Sequence, residues 1–196
     1  MFSQLVRDKI RELQAGIPPV NLADPAVFLH NLLFLAAVMK ATEGLLADGF
    51  SYAQGKDQFS NRLAQYYLEH YAEEQGHYQW IMEDLGLQNL PHVDWIAAEM
   101  AGAQYYLIHH VHACALLGYM AVLEGDPVPL AVVEQLEVIH GKRLLRCIRY
   151  HAEHDLEHRK ELFALIDKVP SGLQSVVMES AMHTVLQMHA AYKTWS

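Results

Sequence analysis

The sequence predicts an all-α protein, a bundle of seven helices, and three observations point that way. Glycine and proline fall at intervals that divide the 196 residues into long segments. Within those segments apolar side chains recur at helical spacing. No run of alternating β-branched residues bounded by turns interrupts them. The length suits one well-buried core, so residues 1–196 are expected to form a single domain.

Each element has its own signals. A first helix runs to about Gln14 and ends at Gly16, before Pro18 and Pro19. Asp24 and Pro25 open the second, an acid at the N-cap and a proline at the first helical position, and it lasts to about Gly49. A third covers residues 56–85 and stops at Gly86, and Pro91 then precedes a long uncharged helix that closes at Glu124, Gly125 and Asp126. Pro127 and Pro129 introduce a shorter helix ending near Gly141, followed by one over residues 142–168. Pro170, Ser171 and Gly172 separate this from the last helix, for which Ser171 is the expected cap.

Composition removes several functions. Hydrophobic residues make up 52% and charged residues 19%, the balance of a packed chain rather than a disordered one. With 14 basic against 23 acidic residues and a formal charge of −9, nucleic acid is rejected as a partner. Cys114 and Cys147 both lie in apolar helical patterns and are expected to be free and buried, which fits a reducing cytoplasm. The opening MFSQLVRDKI reads as an amphipathic helix rather than a signal peptide. Residues 100–123 carry no formal charge and are long enough to span a bilayer, but Gln104, His109, His110, His112 and Gly118 lie among them. We therefore expect a buried central helix and no membrane.

The chemistry concentrates in RYHAEHDLEHRKEL. A helix turns about 100° per residue, so His151, Asp155 and His158 all point to one side. A second such face lies in HYAEEQGHYQW, where Glu74 and His77 are three apart and His70 lies two turns before His77. This is the spacing with which carboxylate-bridged bundles aim two ligands at one ion. Glu124 ends the apolar run LLGYMAVLEG, where an unpaired carboxylate would be expensive. Taken singly, each has a plain structural explanation, as a solvated helix face or a helix-end acid. Their conjunction suggests a carboxylate and histidine metal site between helices. Three carboxylates would leave a pair of ferrous ions close to neutral. The HHVH run and the many tyrosines read as packing, with one or two tyrosines available to line a cavity.

The combination of EEQGHYQW, GYMAVLEG and HAEHDLEH resembles the heme-oxygenase-like diiron oxidases, also called iron-containing redox enzymes, related in fold to the TenA/PqqC group. The likeness runs from about residue 25 to the end, and the His151, Asp155, His158 triplet is its most specific element. It implies a seven-helix heme-oxygenase-like bundle, two non-heme irons, dioxygen as co-substrate and a small organic substrate, amino-acid-like or fatty-acid-like. By that likeness one iron takes Glu74, His77 and His151, and the other Asp155 and His158, with Glu124 available to bridge or complete the set. Some members place a carboxylate where this chain has His70. Either Glu74 supplies the acid with His70 behind it, or His70 is an added ligand.

The leading expectation is thus an O2-dependent oxidase or oxygenase working through a peroxo-diferric oxidant, with a homodimer as a possible assembly. A metal-free enzyme of the thiaminase or quinone-cofactor-synthesis type is the second reading, and a helical protein that only binds metal is the third. A thiaminase-like hydrolase needs an activated cysteine, and the apolar neighbours of Cys114 and Cys147 favour the neutral thiol.

Overall fold

A computed structural model describes residues 1–194, apart from the side chains of residues 155–157. Among the described residues there are nine α-helices and no strand: α1 (Phe2–Gln14), α2 (Pro25–Ala53), α3 (Gln58–Glu74), α4 (His77–Leu85), α5 (Trp95–His110), α6 (Ala115–Leu123), α7 (Leu130–His140), α8 (Arg146–Ile166) and α9 (Gln174–Lys193). Short 3-10 turns, Lys142–Leu145 and Ser171–Leu173, precede α8 and α9. Asp24 caps α2 as its side chain accepts from the amides of Ala26 and Val27. Asp57 and Asp94 do the same for α3 and α5. Ser171 does not cap α9: it opens the 3-10 turn, and no side chain caps that helix.

The count rises from seven to nine because two expected helices break. The first break lies at Gln75 and Gly76, where Gly76 takes a φ of +92°, a left-handed conformation that glycine adopts without steric penalty. Its amide, freed from the helix, donates to Glu43 Oε1 at 3.3 Å. The second break, over residues 111–114, divides the long uncharged segment. There His112 Nδ1 accepts the Cys114 amide at 3.1 Å, a side chain competing with the helix for a backbone donor. The Ala113 carbonyl left by the break accepts from the buried Tyr67 hydroxyl at 2.8 Å. His112 therefore terminates a helix rather than packing within one.

This break replaces the single central helix expected over residues 100–123 with two, and neither α5 nor α6 is long enough to cross a bilayer. Among the described helices α2 is the one with sufficient length and apolarity, at a mean hydropathy of 1.4 over its most apolar window. It is engaged inside the bundle, packed on α3, α4 and α5. Phe34, Val38, Leu45 and Leu46 enter a large apolar cluster shared with α1, α3, α5, α6 and α9. Phe28, Leu32 and Ala36 enter a smaller one with Ile81, Met82, Val133, Leu136 and Cys147.

The two clusters bracket the ligand-bearing residues. On α8, Cys147 belongs to the smaller cluster and Leu162 to the larger, with His151 and His158 between them. Arg149 fixes the start of this helix through a bidentate pair with Glu137 of α7, both contacts at 2.7 Å. Arg146 ties it to α4 through Glu83, Asp84 and the Trp80 carbonyl. Helix α6 is buried on every side and presses on α9 so closely that a Cβ at Gly118 would meet the Val177 carbonyl and the Ala181 amide. That contact sets the position of Glu124, the residue that ends α6.

Candidate metal centre

Four helices deliver six candidate ligands to the interior. Leu63, Tyr66, Tyr67, His70 and Glu74 form the buried stripe of α3, spaced three and four apart so that they share a face. His77 is the first residue of α4, just past the Gly76 break. Glu124 ends α6, and His151 and His158 sit two turns apart on α8.

These side chains fall into two triads, and in each the ligand atoms lie within 4.8 Å of one another. One comprises His70, Glu124 and His158, the other Glu74, His77 and His151. In the first, His70 Nε2 lies 3.1 Å from Glu124 Oε1, and the rings of His70 and His158 meet edge to face at 5.3 Å. In the second, His77 Nδ1 lies 3.1 Å from Glu74 Oε2, and the rings of His77 and His151 meet edge to face at 4.8 Å. Glu74 joins the two, because its other oxygen, Oε1, is 3.9 Å from His70 Nε2.

The electrostatics are those of a site that expects cations. Glu74 and Glu124 are buried, and among the described residues their ion-pair partners are imidazoles rather than lysine or arginine. Among the described residues Glu124 Oε2 has no hydrogen-bond partner. Burial opposes a charge on His70, but attraction and hydrogen bonding to Glu124, helped by Glu74 and Glu73, outweigh it and hold the imidazole up at about 9. Burial likewise opposes ionisation of Glu74, yet the hydrogen bond from His77 and the nearby His151, His77 and His70 keep it below its usual value.

In the metal-free protein the His70 imidazolium thus stands in for a cation, which makes stability depend on pH. A folded value of about 9 against an ordinary 6.5 means that the contribution is complete below pH 6.5 and lost as pH rises to 9. The lowered value of Glu74 contributes above its ordinary 4.5 and is lost in acid. Metal-free protein is expected to lose about 3 kcal/mol between pH 6 and pH 9, with little loss after His70→Gln. Thermal melts in chelator across that range measure it, and a flat profile for the unsubstituted chain refutes it.

The donor set fits first-row dications. It contains imidazole and carboxylate and no thiolate, which suits iron, manganese or zinc better than Cu(I). Each triad has two histidines and one carboxylate, the composition that leaves positions open on a non-heme iron. A cleft of about 400 Å³ between α2, α5 and residues 89–94 contains none of the six.

No family model and no curated protein matches the chain. Its structure is similar to the crystal structure of a domain of unknown function with a heme oxygenase-like fold from Shewanella denitrificans OS217. The TM-score is 0.68 at 14% sequence identity, over 98% of this chain and 89% of that one. The chain has a heme-oxygenase-like fold. At this identity the likeness concerns the fold, and the chemistry rests on the side chains of this chain.

Within the heme-oxygenase-like bundle, Glu74, His77 and His151 stand together, and Glu124 stands with His158. His70, which the sequence left between two roles, lies with Glu124 and His158 in a group that could hold a metal ion. Asp155 lies outside the described side chains. Glu73 was passed over in the sequence as a neighbour of Glu74. Its Oε2 lies 3.4 Å from His70 Nδ1 and 3.3 Å from His158 Nε2, so it orients both rings, a supporting role that metal-bound histidines commonly require. Its spacing three residues after His70 was the available signal.

Proposed function

We propose that this protein is an O2-dependent non-heme diiron oxidase or oxygenase acting on a small organic substrate. His70, Glu124 and His158 hold one iron, Glu74, His77 and His151 the other, and the sequence adds Asp155 to the second turn of the α8 ladder. Two ferrous ions supply the electrons and Lewis acidity for reducing dioxygen, which protein side chains alone do not provide. The residues do the rest. Glu74, with one oxygen toward each histidine group, sets the spacing of the two triads. Glu73 orients His70 and His158, and the large apolar cluster on α3, α6 and α9 keeps water from the buried side.

The observation that carries this reading is the pair of two-histidine, one-carboxylate triads sharing Glu74 in the interior. A thiaminase-like route through cysteine finds no support, since burial pushes the Cys114 thiol up to about 12 and neither cysteine belongs to a ligand triad. Anaerobic loading with ferrous iron, removal of excess metal and rapid mixing with oxygenated buffer provide the test. About two irons per chain and a transient visible absorption are expected. Failure of the full chain to retain iron under those conditions removes the proposal.

A further inference from the structure

The two triads are not equivalent in their surroundings. His77 is covered by aromatic rings, Trp80 at 4.7 Å and Tyr150 at 5.0 Å, and both oxygens of Glu74 face imidazole nitrogens. Beside the other triad two buried oxygens have no hydrogen-bond partner among the described residues, the Tyr66 hydroxyl and Glu124 Oε2. Tyr66 and Glu124 are each 8% exposed, and buried polar groups ordinarily find a partner. Tyr66 precedes His70 by one turn of α3, and their rings stack at 5.7 Å with an interplanar angle of 17°. The phenol therefore lies along the imidazole whose Nε2 faces Glu124. A phenol is protonated at neutral pH, so among the described residues this hydroxyl is a donor without an acceptor.

We propose that the His70, Glu124 and His158 triad is the one that takes a small exogenous anion or oxygen-donor molecule on its metal ion, and that the Tyr66 hydroxyl is the positioning donor to that ligand. This rests on the metal-centre reading above. The phenol, unpaired among the described residues, then has its acceptor only when the ligand is bound, whereas His77 of the other triad packs against the rings of Trp80 and Tyr150.

Cobalt(II) as the metal and azide as the ligand provide a test that does not depend on turnover. Full-length protein loaded with cobalt is titrated with azide and followed by its visible bands. Tyr66→Phe is expected to retain cobalt at the wild-type level but to bind azide about tenfold or more weakly, the worth of one hydrogen bond to a charged acceptor. Tyr150→Phe is expected to leave azide affinity unchanged. Metal-free Tyr66→Phe melts no lower than wild type, because the hydroxyl it removes has no partner among the described residues. Equal azide affinity in Tyr66→Phe, a larger loss in Tyr150→Phe, or a lowered melting temperature of metal-free Tyr66→Phe each overturns the assignment while leaving the metal centre standing. Failure of the wild-type chain to bind cobalt or iron removes the metal centre itself, and the assignment with it.

Discussion

Glu74→Ala is expected to empty both metal positions, whereas His158→Ala empties one. Among the described residues Glu74 presents an oxygen to each histidine group, 3.1 Å from His77 and 3.9 Å from His70. Its loss leaves four imidazoles with Glu124 as the single buried carboxylate among the two triads. Two dications would then repel with less compensating charge in a poorly solvated interior. Iron affinity should fall at least about 100-fold at both positions, more than is usual for loss of an outer partner. His158→Ala removes a ligand from the Glu124 triad and leaves Glu74, His77 and His151 in place. Iron analysis gives about none retained in the first variant and about one per chain in the second, with circular dichroism confirming that both remain helical. Two irons retained by Glu74→Ala would show that it does not join the triads.

Gly118→Ala should be strongly damaging to the bundle. The added carbon would collide with the Val177 carbonyl and the Ala181 amide, backbone atoms of α9 that cannot rotate away, and would sit 3.0 Å from Ser180 Cβ. Helix α6 must then move off α9, a destabilisation of about 3 kcal/mol, at the upper end for overpacking. Near this chain length that lowers the melting temperature by roughly 6–12 °C. Because Glu124 ends α6, the shift also loosens the His70, Glu124 and His158 triad, and iron retention should fall with stability. Gly102→Ala is the control. No atom lies within 4 Å of its Cβ position, so the same change in α5 is expected to stabilise by up to about 1 kcal/mol. If the two variants melt alike, the close contact of α6 with α9 is not what positions Glu124.

The sequence announces helix starts more clearly than interruptions. Asp24 before Pro25 is a local signal, and Asp24 caps α2 with no help from the rest of the chain. The break at Gly76 had a visible signal in the glycine itself, but glycine is tolerated inside helices, and only the acceptor on Glu43 in α2 decides for a turn. The break at residues 111–114 contains neither glycine nor proline. It depends on His112 accepting an amide and on the hydroxyl of Tyr67, 46 positions before Ala113, donating to the Ala113 carbonyl. Glu74 and His77 illustrate the consequence for the site, because their contact at 3.1 Å is made across a helix boundary rather than along one helical face.

By itself the sequence determined the all-helical class, most of the element boundaries and the kinds of donor available, because capping, periodicity and ligand spacing are properties of neighbours along the chain. Tertiary structure decided which donors stand together. His151 and His158 are separated by about 10 Å of helix and go to different triads, and His70 finds Glu124, 54 positions away. The physical reason is that periodicity fixes the direction of a side chain relative to its own helix axis, whereas the pairing of faces follows from how α3, α4, α6 and α8 pack, set by contacts as specific as Gly118 against α9 and Arg149 against Glu137.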